Sequence, residues 1–307
     1  MNFPFYIARR YLFSKKKHNA INIISGISVC GVALATLALV CTLSVFNGFQ
    51  DMVASFFTAF DPQLKITVRE GKVFDAQDKR IRAVCALPEV EVFTETLEEN
   101  AMVQYKDRQA MVVLKGVEDN FEELTAIDSI LYGAGEFVLH DSIVNYGVMG
   151  VELVATLGTG LEFVDPLQVY LPKRNAKVNM ANPGASFNRD YLYSPGVVFV
   201  VNQQEYDGKY ILTSLDFLRQ LLDYTTEVSA MELKLKPDAN VSSVQSKIEK
   251  ILGDAFVVQN RYQQQADVFR IMEIEKLISY LFLTFILMIA CFNAVSYTHL
   301  TLPTIRL

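Results

Sequence analysis

The chain has 307 residues, of which 51% are hydrophobic, and it carries 28 Lys and Arg against 34 Asp and Glu. Five of the positive charges lie before residue 20, so with a net charge of −6 for the whole chain the remainder carries −11. An acidic body of this kind excludes nucleic acid as the expected partner. Among the four cysteines only Cys85 lies outside the apolar runs, which excludes a disulfide framework in the body of the chain.

Residues 1–18 combine aromatic side chains with basic ones and contain no acidic residue. Their apolar side chains go nearly all round a helix, which predicts a short cytoplasmic interfacial helix at the headgroup level of the membrane. Lys15, Lys16 and Lys17 would meet anionic lipid there. A simple basic tail that sets the topology is the alternative interpretation.

Residues 19–50 carry no formal charge and form the first predicted transmembrane helix, since about 20 helical residues cross a bilayer core. The basic residues in front place the N-terminus in the cytoplasm and everything after residue 47 on the other side. A cleaved signal peptide fits less well because the apolar run is too long and lacks a cleavage site. Gly31 and Ala35 form a small-xxx-small pair, a spacing that lets a second helix approach closely.

Residues 51–116 predict the first part of an exported α+β subdomain. Apolar and polar residues alternate over residues 64–68, a pattern typical of a half-buried strand. A helix capped by Asp75 is expected to follow it. The strands predicted after this helix cover residues 90–99, 100–105 and 109–116.

Residues 117–225 are rich in Gly and Pro and predict an inserted, mostly β subdomain with one helix at residues 142–157. The clearest strands of this insert are residues 165–171 and 196–202. Between them, residues 172–193 form a long polar segment. Long segments of this kind are commonly functional, so a contact with a partner is the favoured role.

Residues 226–270 predict the second part of the α+β subdomain. A strand at residues 228–235, a helix at 241–253 and a strand at 255–259 form a βαβ-like unit. Because two such units flank the turn-rich insert, the first and last thirds are expected to pack together. The insert then becomes a second subdomain.

Residues 271–296 predict a stalk and a second transmembrane helix that returns to the cytoplasm, with twenty uncharged residues at 277–296. The last segment, residues 297–307 (YTHLTLPTIRL), resembles translated sequencing-adaptor sequence. It is therefore expected to be a non-native tail, with the native sequence ending near Ser296.

No catalytic residue, cofactor site or metal site is predicted. The three histidines lack the spacing of a metal site. His140, Asp141 and Ser142 are adjacent, and consecutive side chains do not converge as a catalytic triad must. A phosphate-binding loop is missing, so any nucleotide is expected on another chain. The acidic clusters at residues 95–99 and 118–123 are expected to be solvated surface.

Three segments carry a resemblance to a known family: IARRYLFSKKKH, LSVFNGF and FRIMEIEKLISYLFLTFILMIACFNAVS. They resemble the permease of the lipoprotein-releasing (Lol-type) ABC transporters, within the broader MacB and FtsX-like permease group. The resemblance covers about residues 4–296. It implies a membrane-anchored α+β protein in which two transmembrane helices flank a MacB-like periplasmic core, a porter-like α+β subdomain with a mostly-β insert. Family permeases continue further, so the chain is expected to be the N-terminal portion of one.

The function implied by this resemblance is mechanical rather than catalytic. A cytoplasmic ABC ATPase dimer would drive two permease subunits, identical or paralogous, in the bacterial inner membrane. They would extract lipoproteins and hand them to a periplasmic carrier. In the family, the loop after a strand like DPLQVYLP reaches toward that carrier. The predicted carrier contacts in this loop, residues 173–190, are Lys173, Arg174, Lys177 and Arg189. The residues expected to face lipid or cargo are Leu43, Val45, Phe46, Met272 and Leu277.

Three other functions remain open at this point. The first is an FtsX-like regulator that signals to a periplasmic cell-wall hydrolase, and the second is a MacB-like efflux component. The third is a two-span periplasmic adaptor without an ATPase. The large exported domain with its long basic loop favours lipoprotein release.

Overall fold

The fold is taken from a computed structural model, which describes residues 3, 6, 19–55, 61–174, 186–264 and 266–301. The chain divides into two units, one of Met1–Phe56 with Ala266–Leu307 and one of Phe57–Gln265. Apart from Phe3 and Tyr6, the predicted interfacial helix at residues 1–18 lies outside the described residues.

Helices and strands alternate through the second unit, and two long helices make up most of the first. The α-helices are α1 (Asn19–Ser55), α2 (Lys79–Cys85), α3 (Phe121–Leu124), α4 (Val151–Leu157), α5 (Gln204–Asp207), α6 (Leu215–Leu222), α7 (Val241–Leu252), α8 (Arg261–Gln264) and α9 (Ala266–Thr301). The strands are β1 (Leu64–Val68), β2 (Phe74–Asp75), β3 (Val90–Tyr105), β4 (Arg108–Val117), β5 (Leu131–Gly133), β6 (Val148–Met149), β7 (Leu167–Pro172), β8 (Phe187–Leu192), β9 (Val197–Phe199), β10 (Tyr210–Ser214), β11 (Glu227–Val228), β12 (Ala230–Leu235) and β13 (Phe256–Asn260).

Helix α1 contains the predicted first transmembrane helix. Its stretch Val29–Gly48 is long and apolar enough to cross a membrane. Leu37 and Val45 in this stretch are 62% and 70% exposed, as expected of side chains that face lipid. Ala35 is buried and Gly31 half-buried, and α1 packs against α9.

The predicted second transmembrane helix, residues 271–296, is not confirmed. Among the described residues, α1 is the only helix that meets the length and composition test for a membrane span. Helix α9 nevertheless continues without a break through this segment and up to Thr301. Residues 302–307 lie outside the described residues, and the non-native tail at 297–307 stays a prediction.

Two strand–helix–strand pieces interlock in the second unit. One is β1, α2 and β3, the other is β12, α7 and β13, and the strands lie in the order β13-β1-β12-β3. Each neighbouring pair in this order is antiparallel. Consequently β1 and β3 run parallel with β12 between them, and β12 and β13 run parallel with β1 between them. This is the split βαβ, ferredoxin-like arrangement, and it confirms the predicted βαβ-like unit in its split form.

Strand β3 joins this arrangement to the insert. The sequence predicts two strands here, but β3 is a single strand of 16 residues. One of its edges pairs with β4, and the other pairs first with β12 and then with β7. Strand β4 continues to β10 and β6, while β7 continues to β8, so one nine-stranded sheet results. The subdomain boundaries at residues 51–116, 117–225 and 226–270 stay a prediction.

The start of α2 differs from its predicted position. The cap is Asp78, whose carboxylate accepts a hydrogen bond from the Arg80 N–H at 2.8 Å. The predicted cap, Asp75, ends β2 instead and accepts from the Gln77 N–H at 2.9 Å. Both aspartates thus satisfy backbone donors two residues ahead, and only the second is followed by helix.

The helix predicted from residue 142 begins later, at Val151. The Asp141 carboxylate accepts the backbone N–H groups of Ile143 and Val144, at 2.6 and 2.8 Å, which folds these residues into a turn. Such local side-chain bonds compete with helix formation, so the helix starts only after Gly150.

Candidate functional site

The segment predicted to contact a carrier belongs to a hairpin formed by β7 and β8. All six residues of β7 pair with β8, and the Lys173 N–H extends the ladder by donating to the Ser186 carbonyl at 2.9 Å. The loop predicted over residues 173–190 is therefore shorter, since β8 already begins at Phe187. The Asn-Arg-Asp sequence of β8 has low strand propensity, and pairing with β7 overrides it.

The four predicted carrier contacts do not share one environment. Lys173 is exposed at the end of β7, and Arg189 is exposed on β8. Arg174 is exposed as well, but its guanidinium already contacts a ring and a carboxylate of this chain. Lys177 lies outside the described residues.

One face of β4, β3, β7 and β8 carries a row of side chains in register: Met111, Met102, Tyr170 and Arg189. Met111 is 68% exposed, and Tyr191 in the next row is 45% exposed. Tyr, Met and Arg are enriched at protein interfaces, whereas Lys, Glu and Asp are depleted. We call these five residues the open face. This face is not among the features predicted from the sequence, although the alternation of Met, Tyr and Gln along these strands is a usable signal.

The same face of the sheet carries four charged side chains, one on each of β1, β12, β3 and β4. Lys65 lies opposite Glu232, and Lys115 lies opposite Glu98. The Lys115 Nζ is 2.7 Å from Glu232 Oε1 and 3.7 Å from Glu98 Oε1. The Lys65 Nζ is 3.1 Å from Glu98 Oε1. We call these residues the charge ladder. Lys115 and Glu232 are fully buried, so each ion depends on its partners.

Opposite charges outweigh burial in setting the pKa values of Lys65 and Glu98. Burial works to lower the pKa of Lys65, but Glu98 and Glu232 outweigh burial and hold this pKa above its usual value. Burial works to raise the pKa of Glu98, but Lys65 and Lys115 outweigh burial and hold this pKa below its usual value. The Lys115 Nζ also lies 5.6 Å from the centre of the Phe121 ring.

The acidic cluster at residues 95–99 was expected to be solvated, and this is wrong for two of its members. Glu98 belongs to the charge ladder. Glu95 accepts from the Arg219 Nη2 at 2.6 Å, with both side chains at most 20% exposed. The period of the strand predicts which face of the sheet carries a charged side chain. Whether that face is buried depends on residues from distant segments of the chain.

A polar cavity of about 340 Å³ opens at the start of α6, with Glu118, His140, Asp216 and Arg219 in its wall. The His140 Nε2 is 3.0 Å from the Asp119 Oδ1. Among the residues that the structure describes, no group of three or more His, Cys, Asp and Glu side chains could hold a metal ion.

The residues predicted to face lipid or cargo differ in exposure. Val45 and Leu277 are each 70% exposed, whereas Leu43 and Phe46 are half-buried. The side chain of Met272 lies outside the described residues. Their role stays a prediction.

Residues 25–251 match the family of the MacB-like periplasmic core domain. The chain is 22% identical over 306 residues to the lipoprotein-releasing system transmembrane protein LolE of Haemophilus influenzae, covering 96% of this chain and 70% of that protein. It is 25% identical over 300 residues to LolC of Neisseria meningitidis serogroup B, covering 95% and 68%. The periplasmic region of MacB from Actinobacillus actinomycetemcomitans is 10% identical, with 67% of this chain and 91% of that chain covered and a TM-score of 0.44.

Proposed function

Because the chain belongs to the family of the MacB-like periplasmic core domain, we propose that it is a permease subunit of an ATP-driven transporter that extracts lipoproteins from the bacterial inner membrane. The observation that carries this proposal is the similarity to lipoprotein-releasing transmembrane proteins over 94–96% of this chain. That length takes in both long helices and the domain between them.

The proposed membrane arrangement is based on the two long helices. Helix α1 crosses the inner membrane with its N-terminus in the cytoplasm, in keeping with the basic residues before it. Helix α9 returns to the cytoplasm as a second span. Large apolar side chains of α9 support this, since Leu281 and Phe285 are 64% and 61% exposed and require an apolar surrounding. The domain between the helices is periplasmic.

The β7–β8 hairpin and the open face contact a periplasmic carrier that receives the lipoprotein. Lys173 and Arg189 present positive charge to an acidic surface of the carrier, while Met102, Met111 and Tyr170 supply apolar and aromatic contact area. Lys177 belongs to the same proposed contact.

The remaining partners follow from the division of labour in such a transporter. A cytoplasmic ABC ATPase dimer hydrolyses ATP, and this chain is a non-catalytic membrane subunit that pairs with itself or with a paralogue. Acyl chains of the lipoprotein pass along α1 and α9, near Leu43, Val45, Phe46, Met272 and Leu277. Of these, Val45 and Leu277 support the proposal through their high exposure.

The test is co-purification with the full-length permease, cloned from genomic DNA and solubilised in detergent, with bound chains identified by mass spectrometry. Recovery of an ATPase with lipidated proteins is the expected result. An ATPase with a cell-wall hydrolase and no lipoprotein would indicate an FtsX-like regulator instead. Absence of any ATPase would contradict both. Charge reversal of Lys173 and Arg189 tests the carrier contact. It is expected to release the carrier but to retain the ATPase.

A further inference from the structure

Arg174 at the end of β7 is engaged within the chain. Its guanidinium carbon lies 5.1 Å from the centre of the Tyr224 ring, and its Nη1 is 3.9 Å from Glu227 Oε1. A cation within about 6 Å of a ring centre is attracted by the ring face. The planar guanidinium is also suited to lie against a ring, which an ammonium is not. The adjacent Lys173 has equal charge and is exposed. Its backbone N–H donates to the Ser186 carbonyl and so extends the pairing of β7 with β8.

Both groups that receive Arg174 are fixed by contacts of their own. Tyr224 packs against the buried apolar cluster under β7 and α6. The Glu227 carboxylate accepts hydrogen bonds from the Thr225 N–H at 2.9 Å and the Thr226 N–H at 3.2 Å. These backbone donors hold the pKa of Glu227 below its usual value, so the carboxylate is ionised at neutral pH. Arg174 therefore meets a site that is already formed.

The second strand of the hairpin is held by the same segment. The Asn188 Nδ2 on β8 donates to the Leu221 carbonyl at 2.7 Å, in a partly buried position. Leu221 lies in the last turn of α6, three residues before Tyr224. One short stretch, residues 221–227, thus holds β7 through Arg174 and β8 through Asn188.

We propose that Arg174 is a positioning residue that fixes the end of the β7–β8 hairpin against residues 221–227, rather than a residue that touches the carrier. With Asn188 it sets the direction in which the hairpin presents Lys173 and Arg189. A hairpin held in one orientation before binding loses less conformational entropy when a partner docks. This role revises the one predicted from the sequence and rests on the proposed function for the identity of the partner.

The first test needs no partner. Amide hydrogen exchange of peptides that contain Lys173 is measured in the full-length permease for Arg174→Ala and Tyr224→Leu, which keeps the apolar packing but removes the ring. Each variant is expected to speed exchange about threefold, as the loss of an exposed cation–π contact would. The double variant should equal Arg174→Ala, because that change already removes the contact with the ring. Lys173→Ala and Tyr224→Phe are the matched controls and should exchange like wild type.

Wild-type exchange in Arg174→Ala, or a double variant whose effect is the product of the two single effects, would overturn the proposal. The second test measures binding of the unloaded soluble carrier recovered with the wild-type permease. Arg174→Ala and Tyr224→Leu are both expected to weaken binding, and Tyr224→Leu by no more than Arg174→Ala, because Arg174→Ala also removes the contact with Glu227. Weaker binding in Arg174→Ala with unchanged binding in Tyr224→Leu would make Arg174 a direct contact and overturn its positioning role. Failure to recover a carrier contradicts the proposed function and leaves the exchange result intact.

Discussion

The charge ladder and the open face lie on the same face of one sheet, yet they are built in opposite ways. In the ladder, Lys115 and Glu232 are buried 2.7 Å apart beneath the apolar cluster that contains Phe121. On the open face, Met111 and Tyr191 are 68% and 45% exposed. Covered positions therefore carry charges that satisfy one another, and uncovered positions carry side chains that suit a protein partner. The charge ladder should therefore govern the stability of the domain, and the open face should govern binding of the carrier.

The largest effect is expected from Glu232→Leu. This change leaves the buried Lys115 without its nearest anion, which costs about 3–5 kcal/mol when one partner of a buried pair is removed. Urea unfolding of the detergent-solubilised chain, followed by the near-ultraviolet circular dichroism of its 14 tyrosines, measures the loss. The double variant Lys115→Met/Glu232→Leu should lose less, because no unpaired ion remains at that pair. If Lys115→Met/Glu232→Leu were less stable than Glu232→Leu, the pairing of Lys115 with Glu232 would not be the reason for the loss.

The two faces of β7 offer the next comparison. Leu171 is fully buried, so Leu171→Ala is expected to lower the free energy of unfolding by about 2–5 kcal/mol. The neighbouring Tyr170 is half-buried on the open face and its hydroxyl donates to Gln168 Oε1 at 2.7 Å, so Tyr170→Ala should cost less stability than Leu171→Ala while it weakens capture of the carrier. Equal losses of stability from both variants would show that the open face is covered in the intact protein.

Acid should weaken the charge ladder through Glu98. Because the pKa of Glu98 lies below its usual value of about 4.3, its contribution is complete above that pH and is lost as pH falls through the folded-state pKa. Glu98→Gln is expected to cost about 1.5–3 kcal/mol at pH 7, the range for a hydrogen bond to a charged group. The stability difference between wild type and Glu98→Gln should then shrink on acidification below about pH 4. A difference that stays constant from pH 7 to pH 3 would contradict this role.

The smallest effect on stability is expected from Met111→Glu. Met111 is 68% exposed, so the free energy of unfolding should change by about 0.5 kcal/mol or less. Capture of the carrier should nevertheless fall, because a negative charge replaces an apolar contact and repels the acidic surface proposed for the carrier. Ile143→Glu is the matched control, since Ile143 is 91% exposed but lies in a turn outside these four strands. Equal loss of capture in both variants would remove the special role of the open face.

Much of the fold could be predicted because short-range patterns decide it. The alternation of Leu64 and Ile66 marks β1, and Ser214, which accepts from the Phe217 N–H, marks the start of α6. Predictions failed where a choice between equivalent local signals had to be made. Asp75 and Asp78 could each cap the helix. Asp75 pairs with Glu227 across β2 and β11 and therefore belongs to a strand, so Asp78 caps α2.

The candidate site was less predictable because its members come together only through the sheet. The positive charges of one segment predict a contact at the hairpin. The Tyr224 ring that receives Arg174 is 50 residues further along the chain, so its role could not be predicted from that segment. Lys115 and Glu232 are 117 residues apart, and each is preceded and followed by ordinary strand residues. Pairings between distant strands of this kind leave no periodic trace in the sequence.

The most direct measurement is photo-crosslinking in cells from Tyr191 on the open face, replaced by a photoreactive phenylalanine in the full-length permease. Tyr132 on β5 is the matched control, since it is 63% exposed and belongs to a separate two-stranded sheet. The predicted result is an adduct between position 191 and a soluble periplasmic protein that binds lipoprotein, with no such adduct from position 132. The same adduct from both positions, or none from position 191, would contradict the open face as the docking site of a carrier.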